Sequence, residues 1–110
     1  MGGRNTGGWK EADRAREMMM IRAMRYSFGR WTSAARETID YIRPQLESLS
    51  DNALGIMLSD INAELVSYER NHKVMHEAEL WIRLKQEIVE ERARRREKRL
   101  KGAKEDRKWE

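Results

Sequence analysis

Cysteine is absent from this chain of 110 residues, which also contains a single proline and a single phenylalanine. Without cysteine there is no disulfide framework, no Cys-based zinc finger and no thiol nucleophile. No run of about 18 or more apolar residues occurs, and the segment from Met1 to Thr6 has no hydrophobic signal core. These absences predict a single-domain cytoplasmic protein that is neither secreted by a signal peptide nor associated with a membrane.

Charged side chains, by contrast, are plentiful and unevenly spread. They make up 38% of the residues and leave a net charge of +4. Residues 44–67 contain four acidic and no basic side chains, whereas residues 92–110 contain ten basic and four acidic ones. Such an asymmetry predicts either that the basic segment meets an anionic partner or that it folds back on the acidic middle of the chain.

The abundance of Ala, Leu, Met, Glu, Arg and Lys favours α-helix, and apolar residues recur at the spacing of a helical face. Gly29 is expected to end a first helix and Pro44 a second, while Ser50 to Asn52 offer caps for a third. The predicted helices cover residues 11–30, 33–43, 52–69 and the chain from about residue 75 onwards. The expected fold class is therefore all-α: a small bundle of about four helices with a long basic C-terminal helical extension.

Three regions follow from this pattern: a flexible glycine-rich arm (1–11), a helical bundle (12–90) and a basic tail (91–110). After Val89 the sequence offers almost nothing to bury, so the tail is expected to be a solvated helix that stops at Gly102 and frays beyond it. A bundle of this size has a small core, and self-association or a large partner would add buried surface.

Patterns that support catalysis or metal binding are weak. His72 and His76 have the i, i+4 spacing of zinc ligands on one helical face, but the zinc-protease pattern requires a glutamate between them, where this chain has Lys73 to Met75. No glycine-rich phosphate loop or nucleophile elbow is present. The sequence therefore predicts a protein that is not an enzyme and holds neither a metal nor a cofactor.

Nucleic-acid binding has more support in the sequence than catalysis or metal binding. The tail has enough cations to neutralise several phosphates, so binding would tolerate many sequences and weaken steeply with salt. A second basic cluster near the front of the chain includes Arg25 and Arg30, with Tyr26 beside them as a stacking surface. The candidate tail residues are Arg92, Arg94, Arg95, Arg96, Lys98, Arg99, Lys101 and Lys104.

The front residues also have a structural interpretation. Arg25 and Arg30 would reach the acidic residues Asp60 and Glu64 of the third helix, while Tyr26 packs beside them. We call this expected inter-helix contact the charge latch. If the latch is partly buried, removing Arg25 leaves an uncompensated charge and costs several kcal/mol of stability. The sequence alone leaves open whether these arginines are structural or bind a partner.

Three segments stand out as motifs: residues 21–30 with the hexapeptide RYSFGR, residues 59–65 with Asp60-Ile61, and residues 81–88 with Trp81. They resemble small helical proteins encoded by bacteriophages, prophages and plasmids of Gram-positive bacteria, which contain an RYALGR-like hexapeptide. The chain departs from that pattern at Ser27-Phe28 and at Trp31-Thr32. The resemblance implies a helical fold and a mobile-element origin, with the host bacterial cytoplasm as the location, and it implies no mechanism.

Taken together, these features predict a non-enzymatic accessory protein of phage or mobile-element type. The leading interpretation is an inhibitor of a host nucleic-acid-processing or defence complex. The alternatives are a regulator that binds DNA or RNA directly and a structural or assembly component of a phage particle. The expected partners are a protein complex, nucleic acid or both, with a second copy of the chain as a further partner. A methionine and tryptophan face left exposed on the bundle would favour the inhibitor.

Overall fold

A computed structural model describes residues 11–30, 32–71 and 75–108, and all regular structure within them is helical. The all-α bundle predicted from the sequence is confirmed. The glycine-rich arm up to residue 10, His72 and the side chains of His76 and Lys104 lie outside the described part of the chain. In chain order the elements are α1 (Glu11–Ser27), α2 (Thr32–Ile42), a 3-10 helix (Arg43–Ser48), α3 (Asp51–Asn71) and α4 (Met75–Lys108).

The first two breaks between helices fall where the sequence places them. Gly29 has a φ of 74°, in the left-handed region that glycine adopts without steric cost, and the Arg30 amide donates to the Ser27 carbonyl at 3.2 Å. Pro44 stands at the start of the 3-10 helix, where its missing N–H costs no hydrogen bond, and α2 ends at Ile42.

The start of α3 is capped by Ser50. Its hydroxyl oxygen accepts a hydrogen bond from the Ala53 amide at 3.1 Å, which satisfies one of the amides that a helix N-terminus leaves without a partner. Asp51 adds a negative charge in the first turn, where the helix dipole favours it. The predicted cap is confirmed.

Every helix contributes to a single buried apolar cluster. Trp81 of α4 is completely buried, and its ring meets Phe28 edge-on, with the ring centroids 4.9 Å apart and the planes at 78°. Aromatic rings attract each other in this arrangement because the positive edge of one faces the negative face of the other. Over the described residues, no helix has an apolar stretch long enough to cross a bilayer.

Helix α4 is longer than predicted. It runs through Gly102 to Lys108, so the expected stop at Gly102 is wrong. A glycine inside a helix costs only about 1 kcal/mol relative to alanine, and the neighbouring Lys, Ala and Glu residues favour helix strongly enough to offset that cost. Its 34 residues give a length of about 51 Å, close to the 56 Å longest dimension of the molecule.

Candidate functional site

The first turns of the basic tail, up to Arg99, pack against the bundle and are not surrounded by solvent as predicted. The buried stripe of α4 ends in apolar residues at Leu84 and Ile88, and the same face then continues with Glu91, Arg95 and Arg99. Only 8% of the Glu91 side chain is exposed, and its carboxylate accepts a hydrogen bond from Arg95 Nε at 2.8 Å. Contacts between the extension and the bundle therefore reach Arg99, well past the predicted boundary at residue 91.

Arg95 holds this face of α4 against the junction between the 3-10 helix and α3. Its guanidinium donates to Asp51 Oδ1 at 2.9 Å and to the carbonyl oxygens of Leu46 and Glu47 at 3.2 and 3.1 Å. Arg99 donates to the second Asp51 oxygen at 3.2 Å. For these arginines the structure shows contact with the acidic middle of the chain. We call Asp51, Glu91, Arg95 and Arg99 the Arg95 anchor.

The charges of the Arg95 anchor keep Asp51 ionised. The hydrogen bond from Arg95 is the largest cause that lowers the pKa of the Asp51 carboxyl below its ordinary value of 3.8. Burial, the next largest effect, opposes this shift, and the charges of Arg95 and Arg99 lower the pKa further. The anchor is therefore intact at neutral pH.

Other cations between residues 91 and 102, where the structure describes the side chains, are exposed. Arg94 is paired with Glu91 but is still mostly exposed. Of the eight predicted tail residues, three are thus engaged within the protein. The exposed cations among them are Arg92, Arg96, Lys98 and Lys101. Arg92 and Arg96, four residues apart, lie on one side of α4, which we call the basic face, whereas Lys98 and Lys101 lie on other sides of the helix.

The charge latch is present in part. Arg25 Nε donates to Asp60 Oδ2 at 2.6 Å, as expected, and joins α1 to α3. Arg30 does not take the position predicted for it, because the turn at Gly29 directs it back over α1. There its Nε donates to the Tyr26 carbonyl at 3.0 Å, and its guanidinium lies 4.2 Å from the centroid of the exposed Tyr26 ring. Glu64 lies near Tyr68, where its charge raises the pKa of the phenol.

Replacing Arg25 by alanine is expected to cost only about 0.2–1 kcal/mol, less than the sequence suggested, because 53% of the Arg25 side chain is exposed. Urea denaturation of R25A, D60A and the double variant would isolate the pair energy in a double-mutant cycle. A loss of several kcal/mol in R25A would show that the latch behaves as a buried ion pair after all.

Two buried polar contacts are not predicted by the sequence pattern. Glu17 of α1 is buried, and its carboxylate accepts hydrogen bonds from the Ser50 amide at 2.6 Å and the Ser50 hydroxyl at 2.8 Å. Tyr68 donates to Glu77 at 2.5 Å, and its burial, followed by this hydrogen bond, raises the pKa of the phenol above its ordinary 10.0. The sequence marks Glu17 and Tyr68 by their positions on buried faces, but the partner of Glu17 is 33 residues away.

A groove lies between the first halves of α1 and α3. Its floor includes the buried residues Ile21 and Ala53, and Met18 and Ile56 form partly exposed walls. The groove has a volume of about 310 Å³, and Arg14, Glu17 and Asn52 complete its lining. Met19, the next residue of α1, is 69% exposed and faces a different side of the helix from Met18. Trp81 is buried.

Residues 21–30, 59–65 and 81–88, the three segments singled out in the sequence, lie together in the fold. Arg25 in the first contacts Asp60 in the second, and Phe28 in the first packs on Trp81 in the third. No protein family, curated protein or solved structure matches the chain. Among the residues that the structure describes, no group of three or more acidic or histidine side chains is arranged to hold a metal ion.

Proposed function

We propose that this protein acts by binding and not by catalysis, as a phage or mobile-element accessory protein that inhibits a host nucleic-acid-processing complex. In this proposal the basic face of α4 contacts the phosphate backbone of the nucleic acid in that complex. The bundle supplies a second surface for a protein component.

The observation that supports this function is the division of the cations on α4. Arg95 and Arg99 are used to anchor the helix, whereas Arg92 and Arg96, one turn apart, remain exposed. Because the anchor holds the helix in place, little backbone freedom remains to be lost when the basic face meets phosphate groups. Contacts with the phosphate backbone of a nucleic acid depend on the charge and spacing of the phosphates and not on the base sequence.

An inhibitor needs a protein partner as well, and the bundle offers a surface for one. Met18 and Met19 are exposed on α1, and methionine is enriched at protein interfaces because its side chain adapts to irregular shapes. A direct nucleic-acid regulator would have no need of these residues, which is why we favour the inhibitor over the regulator.

Binding to labelled DNA and RNA of unrelated sequences, followed by fluorescence anisotropy, tests the role of the basic face. Phosphate contacts from Arg92 and Arg96 predict that the logarithm of the affinity falls against the logarithm of salt concentration with a slope of about −2 on duplex DNA. The variant R92E/R96E should bind at least ~10-fold more weakly, since it reverses two of the contacting charges.

The matched control is R22E/R36E, which makes the same change in charge at two exposed arginines of α1 and α2. It should bind within about threefold of the wild type if the contact is local to α4. Equal losses in the two variants would mean that only net charge matters, and the assignment to α4 would then be wrong.

Affinity purification from host cells with and without nuclease separates the inhibitor from the regulator. A protein partner that remains after nuclease treatment supports the inhibitor. Loss of every partner on nuclease treatment would favour the regulator. The partners recovered with the wild-type chain are compared with those recovered with R92E/R96E. A chain shortened to Val89 is less suitable, because it would also lack Glu91 and Arg95 of the anchor.

A further inference from the structure

Helix α4 has a second apolar stripe, on the side away from the bundle. Ile82, Val89 and Leu100 are 37%, 45% and 58% exposed, and Ala93 is exposed between them. These four side chains lie within about 40° of one another around the helix axis, whereas the buried Leu84 lies about 160° away from Ile82. We call Ile82, Val89, Ala93 and Leu100 the outer seam.

The spacing of the outer seam is that of a coiled coil. Its members follow one another at intervals of seven, four and seven residues, as the a and d positions of a heptad do. Ile82 and Val89 take d positions, the other two members take a positions, and Gln86 and Arg96 complete the register. The seam is about 27 Å long, which is enough to pack along one further helix.

The residues beside the outer seam have opposite charges on its two sides. The g positions hold Lys85 and Arg92, and the e positions hold Glu90 and Glu97. Lys85 is partly buried and the other three are exposed. Within the part of the chain that the structure describes, none of the four takes part in an ion pair. These charges are therefore available to a partner helix.

We infer that the outer seam binds the outer seam of a second copy of this chain, as a parallel two-stranded coiled coil. In a parallel pair, each g side chain lies beside an e side chain of the partner, five positions further along. Lys85 would lie beside Glu90 of the second copy, and Arg92 beside its Glu97. An antiparallel pair would place g beside g and e beside e, where like charges repel. The charges thus select both the occupant and its direction.

The fold is compatible with this pairing, which goes beyond the proposed function and does not depend on it. The bundle packs on the buried stripe of α4, so two bundles would lie on the outer sides of the paired helices and not between them. Arg96 is the charged residue of the seam. It lies on the edge nearest Arg92, where its methylene groups can pack while its guanidinium extends into solvent. A charge at a d position weakens a coiled coil, so we expect a dimer that dissociates on dilution.

Sedimentation equilibrium at protein concentrations from about 1 to 500 μM measures the association. V89E should weaken dimerisation at least ~10-fold, whereas V66E, the same change at an exposed valine of α3, should leave it unchanged. R96L should strengthen dimerisation at least ~10-fold, because it places leucine at the charged d position. A wild-type chain that stays monomeric at the highest concentration, or a dimer that V89E leaves intact, would overturn the inference.

Charge reversal tests the flanks of the seam. E90K/E97K brings only cations together and K85E/R92E only carboxylates, so each variant alone should dimerise at least ~10-fold more weakly than the wild type. Mixed together, the two variants should form a heterodimer about as stable as the wild-type dimer, because opposite charges meet again. Failure of the mixture to dimerise would contradict the pairing of these charges.

The control for charge reversal is E37K/E69K, which makes the same change in net charge at exposed glutamates of α2 and α3. It should dimerise within about threefold of the wild type. A loss equal to that of E90K/E97K would show that net charge alone governs the association.

Single cysteines report the direction of the pair, since the chain has none of its own. A93C and L100C occupy successive a positions, which lie opposite their own counterparts in a parallel pair, so both should form disulfide-linked dimers on mild oxidation. An antiparallel pair brings at most one of them opposite its counterpart. K98C, on a side of α4 away from the seam, should stay monomeric. Linkage of only one seam variant, or equal linkage of K98C, would overturn the parallel arrangement.

V89E separates the dimer from the nucleic-acid contact, because it leaves Arg92 and Arg96 of the basic face in place. At protein concentrations at which the wild type is monomeric, V89E should bind DNA as the wild type does. Absence of a dimer with intact salt-dependent DNA binding would remove the seam and leave the basic face. A dimer that V89E dissociates, in a chain without salt-dependent DNA binding, would remove the basic face and leave the seam.

Discussion

Trp81→Ala is expected to remove about 3–5 kcal/mol from the free energy of unfolding, the largest loss for any single substitution that we propose. Trp81 is completely buried, and its ring packs edge-on against Phe28, which stands at the turn that ends α1. Its removal would leave a cavity where α1 and α4 meet. A domain of this size has a total stability of about 5–15 kcal/mol, so W81A should be close to the limit of folding.

Urea denaturation followed by far-ultraviolet circular dichroism measures the effect without relying on tryptophan fluorescence. Ile82→Ala is the matched control, because Ile82 is the next residue of α4 and is partly exposed. We expect I82A to cost less than about 1 kcal/mol. A loss in W81A no larger than that in I82A would show that the core does not depend on the ring.

Arg95→Ala is expected to cost about 2 kcal/mol and to loosen the extension while the bundle stays folded. The substitution leaves the Glu91 carboxylate, 8% exposed, with Arg94 as its described partner and removes the donor that serves Asp51 and the carbonyls of Leu46 and Glu47. Arginine and alanine are both good helix formers, so the loss reports on the contacts and not on helix propensity.

Arg96→Ala is the control for this experiment, since Arg96 is one position further along and exposed. It should change stability by no more than about 0.5 kcal/mol. Hydrogen exchange of the amides from residue 92 to residue 102 should become faster in R95A and stay unchanged in R96A. Identical exchange in the two variants would contradict the anchor.

The Arg95 anchor also predicts a dependence on pH. Because the hydrogen bond from Arg95 lowers the pKa of Asp51 below 3.8, the carboxylate contributes stability above the pKa that it has in the unfolded chain. That contribution is lost as the pH falls through the folded pKa. The difference in stability between wild type and R95A should therefore shrink in acid.

Most predictions that the structure confirms rest on interactions between residues close in the chain, and the contact between Arg25 and Asp60 is an exception. The end of α1 depends on a backbone conformation that suits Gly29, the end of α2 on the ring of Pro44, and the start of α3 on the hydroxyl of Ser50. The expected stop at Gly102 fails because a glycine in a strongly helical context is tolerated, while Gly29 is followed by a sequence that begins a new helix.

The sequence predicted the composition of the candidate site and, as one of two alternatives, a contact of the tail with the acidic middle of the chain, but not which residues pair. The tail was correctly identified as basic, yet the pairing of Arg95 and Arg99 with Asp51 joins residues 44 and 48 positions apart. A continuation of the buried stripe through Glu91 and Arg95 was the available signal. A helical period of apolar residues does not include these positions, because Glu91 and Arg95 are charged.

Propensity, capping and composition are local properties, so the helices, their order and the concentration of positive charge in the last nineteen residues can be predicted from the amino acids alone. The packing of the helices selects which cations stabilise the fold and which remain exposed. It also brought Glu17 to Ser50 and opened the groove between α1 and α3. These outcomes depend on the packing of helices distant in the chain, and pairing across such distances leaves no period in the sequence.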